Sequence, residues 1–297
     1  MTLHRFTFRA MAAENEVQVH SDDALFAESA AARAIAEVKR IEAKYSRYLD
    51  DSIVCRINRE AGGAAVPIDT ETHGLLMFAA ACHDQSAGAF DVTSGVLRRA
   101  WRFDSGRVPG EAELVPLVDL IGWPRVELGA DTVRLPVRGM ELDFGGFGKE
   151  YAVDRAALML REAGATSALV NLAGDLAILG PQPDGSAWRV GIRHPRRDGM
   201  LLATLPVSSG GIATSGDYER FMEVDGVRHC HVLDPRTGHS VRSFQSVTVH
   251  ASSCLVAGSA STMAMLKGEA AGLAWLEELG LSHLCVRASG EVIDRFG

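Results

Sequence analysis

No stretch of the 297-residue chain approaches the roughly 18 uninterrupted apolar residues of a membrane-spanning helix, and none is expected. The opening MTLHRFTFRAMAAENEV lacks the apolar core and layout of a signal peptide, so the expectation is a cytoplasmic protein. The five cysteines (Cys55, Cys82, Cys230, Cys254 and Cys285) are scattered, odd in number and form no CxxC pair. That pattern excludes a disulfide framework and suits reduced, mostly buried thiols. There is no excess of positive charge: 30 Lys and Arg against 38 Asp and Glu give a net charge of -8. This argues against nucleic acid or an anionic membrane as the main partner, while leaving room for a local basic pocket. No repeat, low-complexity segment or long linker interrupts the chain, so one α+β domain over 1–297 is expected.

The composition is that of a globular protein, 47% hydrophobic, which at this length supplies ample core. Residues 5–20 alternate roughly and read as a strand. Over 23–47, apolar residues at 25, 26, 32, 35, 38 and 41 recur every three to four positions. They predict an amphipathic helix, with Ser21 or Asp22 as its N-cap. A loop, SRYLDDS, follows; 70–86 reads as another helix, and 96–140 holds most of the irregular chain. KEYAVDRAALMLREAG is helical from 149 to 163, with Gly164 as C-cap. Strand-like runs come next at 167–172, 175–180, 188–193 and 201–207, and continue through GGIATS, RFMEV, RHCHVL and FQSVTVH. Turns such as PDG, VDG and PRTG separate them. Helices near 254–266 and 269–278 precede two closing strands, HLCVRA and EVIDRF.

Three stretches carry candidate chemistry. LDFGGFGKEYAVD, 142–154, brings a glycine-rich turn and Lys149 to a helix start, where an anion is favoured. It is not a P-loop, because Glu150 follows Gly148-Lys149 and Asp143 stands five before Gly148; a Rossmann GxGxxG is absent too. The same pattern also describes a tight strand-to-helix turn with a surface lysine. In RHCHVLDPRTGHS, 228–240, His229 and His231 stand two apart in a predicted strand and so face the same way. A zinc pair lacks a third ligand at a familiar spacing, and a strand with a hairpin turn explains the stretch as well. In AGSASTMAML, 257–266, Gly258, Ser261 and Thr262 share one helical face. That face suits either close helix packing or an oxygen-rich ligand site.

Taken in order, these stretches resemble the ApbE family, the FAD:protein FMN transferases. The resemblance runs over nearly the whole chain: AM at 10–11, SRYLDDSIVCRIN (46–58), AFDVTSG (89–95), LDFGGFGKEYAVDRA (142–156), ALVNLAGD (168–175), IATSGDYER (212–220), HVLDPRTG (231–238), SVTVHA (246–251) and AGSAST (257–262). TSGDYER followed by H-x-x-DPRTG is its most specific part. The resemblance implies a single ApbE-like α+β domain, with a mixed or antiparallel sheet and flanking helices. It implies Mg2+-dependent transfer of the FMN half of FAD to a Thr or Ser hydroxyl of an acceptor flavoprotein, with release of AMP. Met11, Tyr48, Ala89, Phe90, Asp91, Lys149, Arg155 and Val232 fall at FAD-contact positions, and Lys149 would meet the pyrophosphate. His231 falls where the family has its functional histidine, a candidate base for the acceptor hydroxyl. Asp234 and Thr237 would shape the adjoining turn.

The metal positions depart from the pattern. They correspond to Ala152, through its backbone carbonyl, and to Gly258, Ser261 and Thr262. The family's first metal aspartate is here Gly258, and Ser261 takes the other variable position, so this face offers no carboxylate. A hard cation wants one. Glu150 stands in place of the usual Gly after Lys149, and Ala173 in place of a Gly. Glu150 could supply the missing carboxylate, although residues adjacent to the lysine face another way on a helix. Two functions therefore remain open from sequence. One is an active transferase acting on an acceptor in the cytoplasm. The other is a degenerate member that binds FAD, as a carrier or partner-binding protein, without transfer.

Overall fold

The computed structural model describes residues 1–296. Its first two strands, β1 (Thr2–Ala10) and β2 (Ala13–Ser21), form an antiparallel hairpin with Ala10 opposite Ala13. This corrects the single strand expected over 5–20. The turn is Met11-Ala12, both left-handed at φ 52 and 61, the conformation of a two-residue hairpin turn that glycine or asparagine usually fills. Side chains hold it instead: Asn15 Nδ2 donates to Ala10 O and Ala13 O at 2.9 and 3.0 Å, and Met11 N–H donates to Glu42 Oε1 at 2.6 Å.

Helix α1 (Ala24–Tyr45) buries one face of Ala27, Ala30, Ala31, Ala34, Val38, Ile41 and Tyr45. Its N-cap is Asp23, not Ser21 or Asp22, and accepts from Leu25 and Phe26 N–H. The residue that caps is the one whose side chain reaches the first free N–H groups. Then come α2 (Ile53–Arg59), β3 (Val66–Pro67) and α3 (Thr70–Gln85). The irregular stretch carries only α4 (Glu111–Val118), β4 (Glu127–Leu128) and β5 (Thr132–Arg134) besides single turns. Helix α5 (Gly148–Ala163) ends at Gly164 with φ 101, as a left-handed C-cap requires.

The second half alternates short strands: β6 (Ala168–Leu172), β7 (Asp175–Leu179), β8 (Trp188–Arg193), β9 (Leu201–Val207), β10 (Gly210–Gly216), β11 (Phe221–Val224), β12 (Val227–Cys230) and β13 (Phe244–Ala251). Helices α6 (Cys254–Lys267) and α7 (Glu269–Glu278) precede β14 (Ser282–Arg287) and β15 (Val292–Asp294). Eight strands form the main sheet in the order β1-β2-β6-β7-β10-β13-β14-β15, and its neighbours pair antiparallel throughout.

Alternation along β6 and β7 explains how both faces of the sheet are covered. Ala168, Val170, Leu172, Ala177 and Leu179 join the core built with α1, α5 and α6. Leu169, Leu176 and Ile178 point the other way and pack with Trp188, Val190, Ile192 and Leu205 of the β8–β9 hairpin. Among the described residues no helix is long and apolar enough to cross a membrane.

Candidate active site

A cavity of about 1000 Å³ opens where the start of α5, the β6–β7 turn, the end of β10 and the loop after β12 converge. Tyr48, Ala89, Phe90, Asp91, Lys149, His231, Val232 and Thr262 all line it. Ser261 is fully buried just behind that wall, with its Oγ 2.8 Å from the Oγ of Ser215, a lining residue. Ser215 Oγ also lies 2.8 Å from Thr262 Oγ1. Met11, Arg155 and Ala152 are not brought to this cavity. Met11 sits in the β1–β2 turn, Ala152 is fully buried within α5, and Arg155 Nε donates to Glu37 Oε1 at 2.9 Å. Arg155 lines instead a separate cavity of about 480 Å³ with Arg40, Thr70, Glu71 and Tyr151.

The glycine-rich stretch is built for close approach. Asp143 Oδ1 accepts from Gly145 N–H at 2.9 Å, and its other oxygen meets the Arg47 guanidinium. A Cβ on Gly146 would stand 3.0 Å from two Phe90 ring carbons, so the small residue lets the turn lie against that ring. The carboxylate of Asp91 is taken up within the protein: it accepts from Thr93 N–H and Oγ1 at 2.8 and 2.6 Å and from Trp123 N–H at 2.9 Å. Asp91 thereby braces the 89–93 segment that forms one wall.

Lys149, in the first turn of α5, pairs with Asp175 at 2.6 Å. Burial opposes its charge, but the Asp175 and Glu150 carboxylates outweigh that and raise the ammonium above its ordinary value. Asp175 is a site residue that sequence reasoning passed over; its signal lay in the NLAGD stretch. Beside it, burial and then the Asp175 carboxylate push Glu150 well above the usual carboxylate range, against the pull of Lys149.

His231 corrects the expected strand. The β12 ladder ends at Cys230, and the two histidines part company. His229 is buried with its ring 5.6 Å from that of Trp101, whereas His231 faces the cavity. The His231 Nδ1 lies 3.3 Å from the Arg220 carbonyl. A carbonyl can only accept, so this contact favours the proton on Nδ1 and leaves the Nε2 lone pair free. The ring is open to the cavity but enclosed by its walls, and this desolvation lowers its pKa, helped by the Arg220 and Lys149 charges. The following turn is fixed by Asp234, whose Oδ1 accepts from Arg236 N–H at 2.9 Å, and by Trp101 Nε1, which donates to Gly238 O at 2.7 Å.

Helices α5 and α6 are held in register by Asp154. Its two oxygens accept from Cys254 and Leu255 N–H, each at 2.8 Å, at the start of α6. Four residues back along α5 is Glu150, and four on along α6 is Gly258, so the next turns of the two helices meet. There the Glu150 side chain fills the room above Gly258: a Cβ on that glycine would lie 2.5 Å from Glu150 Cγ and 2.9 Å from its Cδ and Oε1. Ser261 Oγ turns back to Gly258 O at 2.9 Å. Sequence reasoning saw position 258 as a missing group; in the structure the space is occupied.

Residues 11–285 match the ApbE family. An FAD:protein FMN transferase of Treponema pallidum is 32% identical over 83% of this chain and 75% of its own length. The crystal structure of the ApbE protein from Thermotoga maritima superposes with a TM-score of 0.89 at 30% identity, covering 99% of this chain and 97% of that one. The apo flavinyl transferase ApbE of Pseudomonas stutzeri does so at 0.86 and 31% identity, covering 98% and 93%. With the family matched over most of its length and the fold shared almost end to end, this chain belongs to the ApbE family.

Proposed function

We propose that this protein transfers FMN from FAD to a Thr or Ser hydroxyl of an acceptor flavoprotein and releases AMP. One observation carries the reading beyond family membership: Lys149 and His231, from distant parts of the chain, line a single cavity large enough for a dinucleotide. Lys149 and the free N–H groups of the first turn of α5 supply positive potential for the pyrophosphate. Tyr48 and Phe90 offer aromatic faces to the rings, and Val232 an apolar edge. His231 Nε2 takes the proton of the acceptor hydroxyl. The hydroxyl oxygen then forms a bond to the FMN phosphorus, the pyrophosphate bond to that phosphorus breaks, and AMP leaves with the electron pair.

A divalent cation fits the residues present. A buried carboxyl, Glu150, and the Ser215, Ser261 and Thr262 hydroxyls give the oxygen-rich donor set that Mg2+ prefers. Mg2+ held there would neutralise charge on the pyrophosphate as the bond breaks. The acceptor is expected in the cytoplasm. The alternative of a binder without transfer activity rested on the missing carboxylate at 258; the Glu150 side chain lying over Gly258 weighs against it.

The test is to incubate the purified protein with FAD and a Thr-bearing acceptor domain, with and without Mg2+. AMP release matched by covalent flavin on the acceptor is the expected result. FAD binding without either product, with an acceptor that an ApbE relative does flavinylate, would overturn the reading.

A further inference from the structure

Glu150 is only 8% exposed, and its Oε2 has no hydrogen-bond partner among the described residues. A buried carboxyl oxygen left this way is costly, and such exceptions call for an explanation, a bound ion among them. Lys149 makes no hydrogen bond to it; its ammonium pairs with Asp175 at 2.6 Å. The side chain lies over Gly258 because that residue has no Cβ. One turn along α6, Ser261 and Thr262 share the face of Gly258, and Ser215 Oγ binds both hydroxyls at 2.8 Å. Thr262, Ser215 and Glu150 all border the cavity.

We propose that Glu150 is the anionic ligand of the divalent cation in this chain, reaching from α5 into the space that Gly258 leaves on α6. Two departures from the family pattern are then one exchange. The carboxylate expected on α6 is carried by α5, and Gly258 is the condition for it. The Asp154 cap sets the helix register that brings the two positions together. The inference rests on the transferase reading for the presence of a cation.

The test uses Mn2+ as a probe for the Mg2+ site, read as loss of the free Mn2+ resonance signal, with and without FAD. AMP release with covalent flavin on the acceptor, measured on the wild-type protein, reads the transferase proposal on its own, so the two can fail apart. Glu150→Gln keeps the shape and removes the charge. It should weaken Mn2+ by about tenfold or more, at least what loss of a supporting second-layer contact costs. The variant should keep a single cooperative unfolding transition, which shows that it is folded. Glu150→Gly should lose Mn2+ as well, and Glu150→Gly combined with Gly258→Asp should bind it again. Wild-type Mn2+ affinity in folded Glu150→Gln overturns the proposal, as does a wild-type protein that binds no Mn2+ with or without FAD.

Discussion

Lys149 Nζ stands 2.6 Å from Asp175 Oδ2, and the aspartate is the more deeply buried partner, 4% exposed against 35% for the lysine side chain. The other oxygen, Oδ1, accepts from Thr214 N–H at 3.1 Å. The first residue of β7 thus ties the first turn of α5 to β10 and holds a cation at the cavity before any substrate arrives. Under the proposed function, an incoming pyrophosphate would share that charge with Asp175 instead of meeting a free lysine.

Lys149→Ala should therefore have two separable effects. It leaves Asp175 buried and unpaired, at a cost of about 2 kcal/mol, below the value for a fully buried pair because Lys149 keeps part of its hydration. It also removes a charged contact to the substrate, weakening FAD binding by about tenfold or more. Adding Asp175→Asn should restore most of the stability and none of the FAD affinity. Urea unfolding and flavin fluorescence on the three variants check this; recovery of FAD binding in the double variant would refute it.

His231 predicts the acid side of the pH profile. Desolvation by the enclosing cavity walls favours the neutral ring and lowers its pKa. A base must be neutral to act, so transfer stays high at neutral pH and falls as pH drops through a value below the ordinary one of about 6.5. His231→Ala should lose about 10²–10⁴ in rate, along with that limb, while FAD still binds. Rates measured from about pH 5 to 8 with saturating acceptor decide it; the same limb in His231→Ala would assign it to another group.

Periodicity made the long helices and most of the second-half strands legible. Helix α5 over 149–163 and its Gly164 stop follow directly from pattern and cap. What stayed hidden depends on contacts between distant residues. The Met11-Ala12 turn has no glycine to announce it, because Asn15 and Glu42 hold it from outside. His229 and His231 looked like a same-face pair, since nothing local shows that the ladder stops at Cys230. Lys149 and His231 were readable from motif and resemblance, but their meeting in one cavity was not. Glu150 and Gly258 each looked like a lone departure; only the packing of α5 on α6 joins them.

Ala173 stands in the two-residue turn that closes β6 onto β7, with φ 51, beside Gly174 at φ 96. A left-handed alanine costs about 1 kcal/mol or more, partly offset by the greater freedom of an unfolded glycine. Ala173→Gly should stabilise the protein by about 0.5 kcal/mol and raise the unfolding midpoint. A lower midpoint would mean that the alanine methyl, at the cavity wall, makes contacts worth more than the strain.

Gly258→Ala tests the packing of Glu150 without reference to any ligand. On an ordinary helix, alanine would be the better residue by about 1 kcal/mol. Here the added methyl would fall 2.5 Å from Glu150 Cγ. The clash lies near the root of that side chain, so all of it must swing, and not merely the carboxyl end. Forcing that change in a packed interior costs about 1–3 kcal/mol, enough to reverse the helical preference. In a Glu150→Ala background the obstruction is gone, and the same substitution should become neutral or stabilising. Denaturation of the four proteins in this cycle gives the coupling directly. Equal effects of Gly258→Ala in both backgrounds would show that the two positions do not share one space.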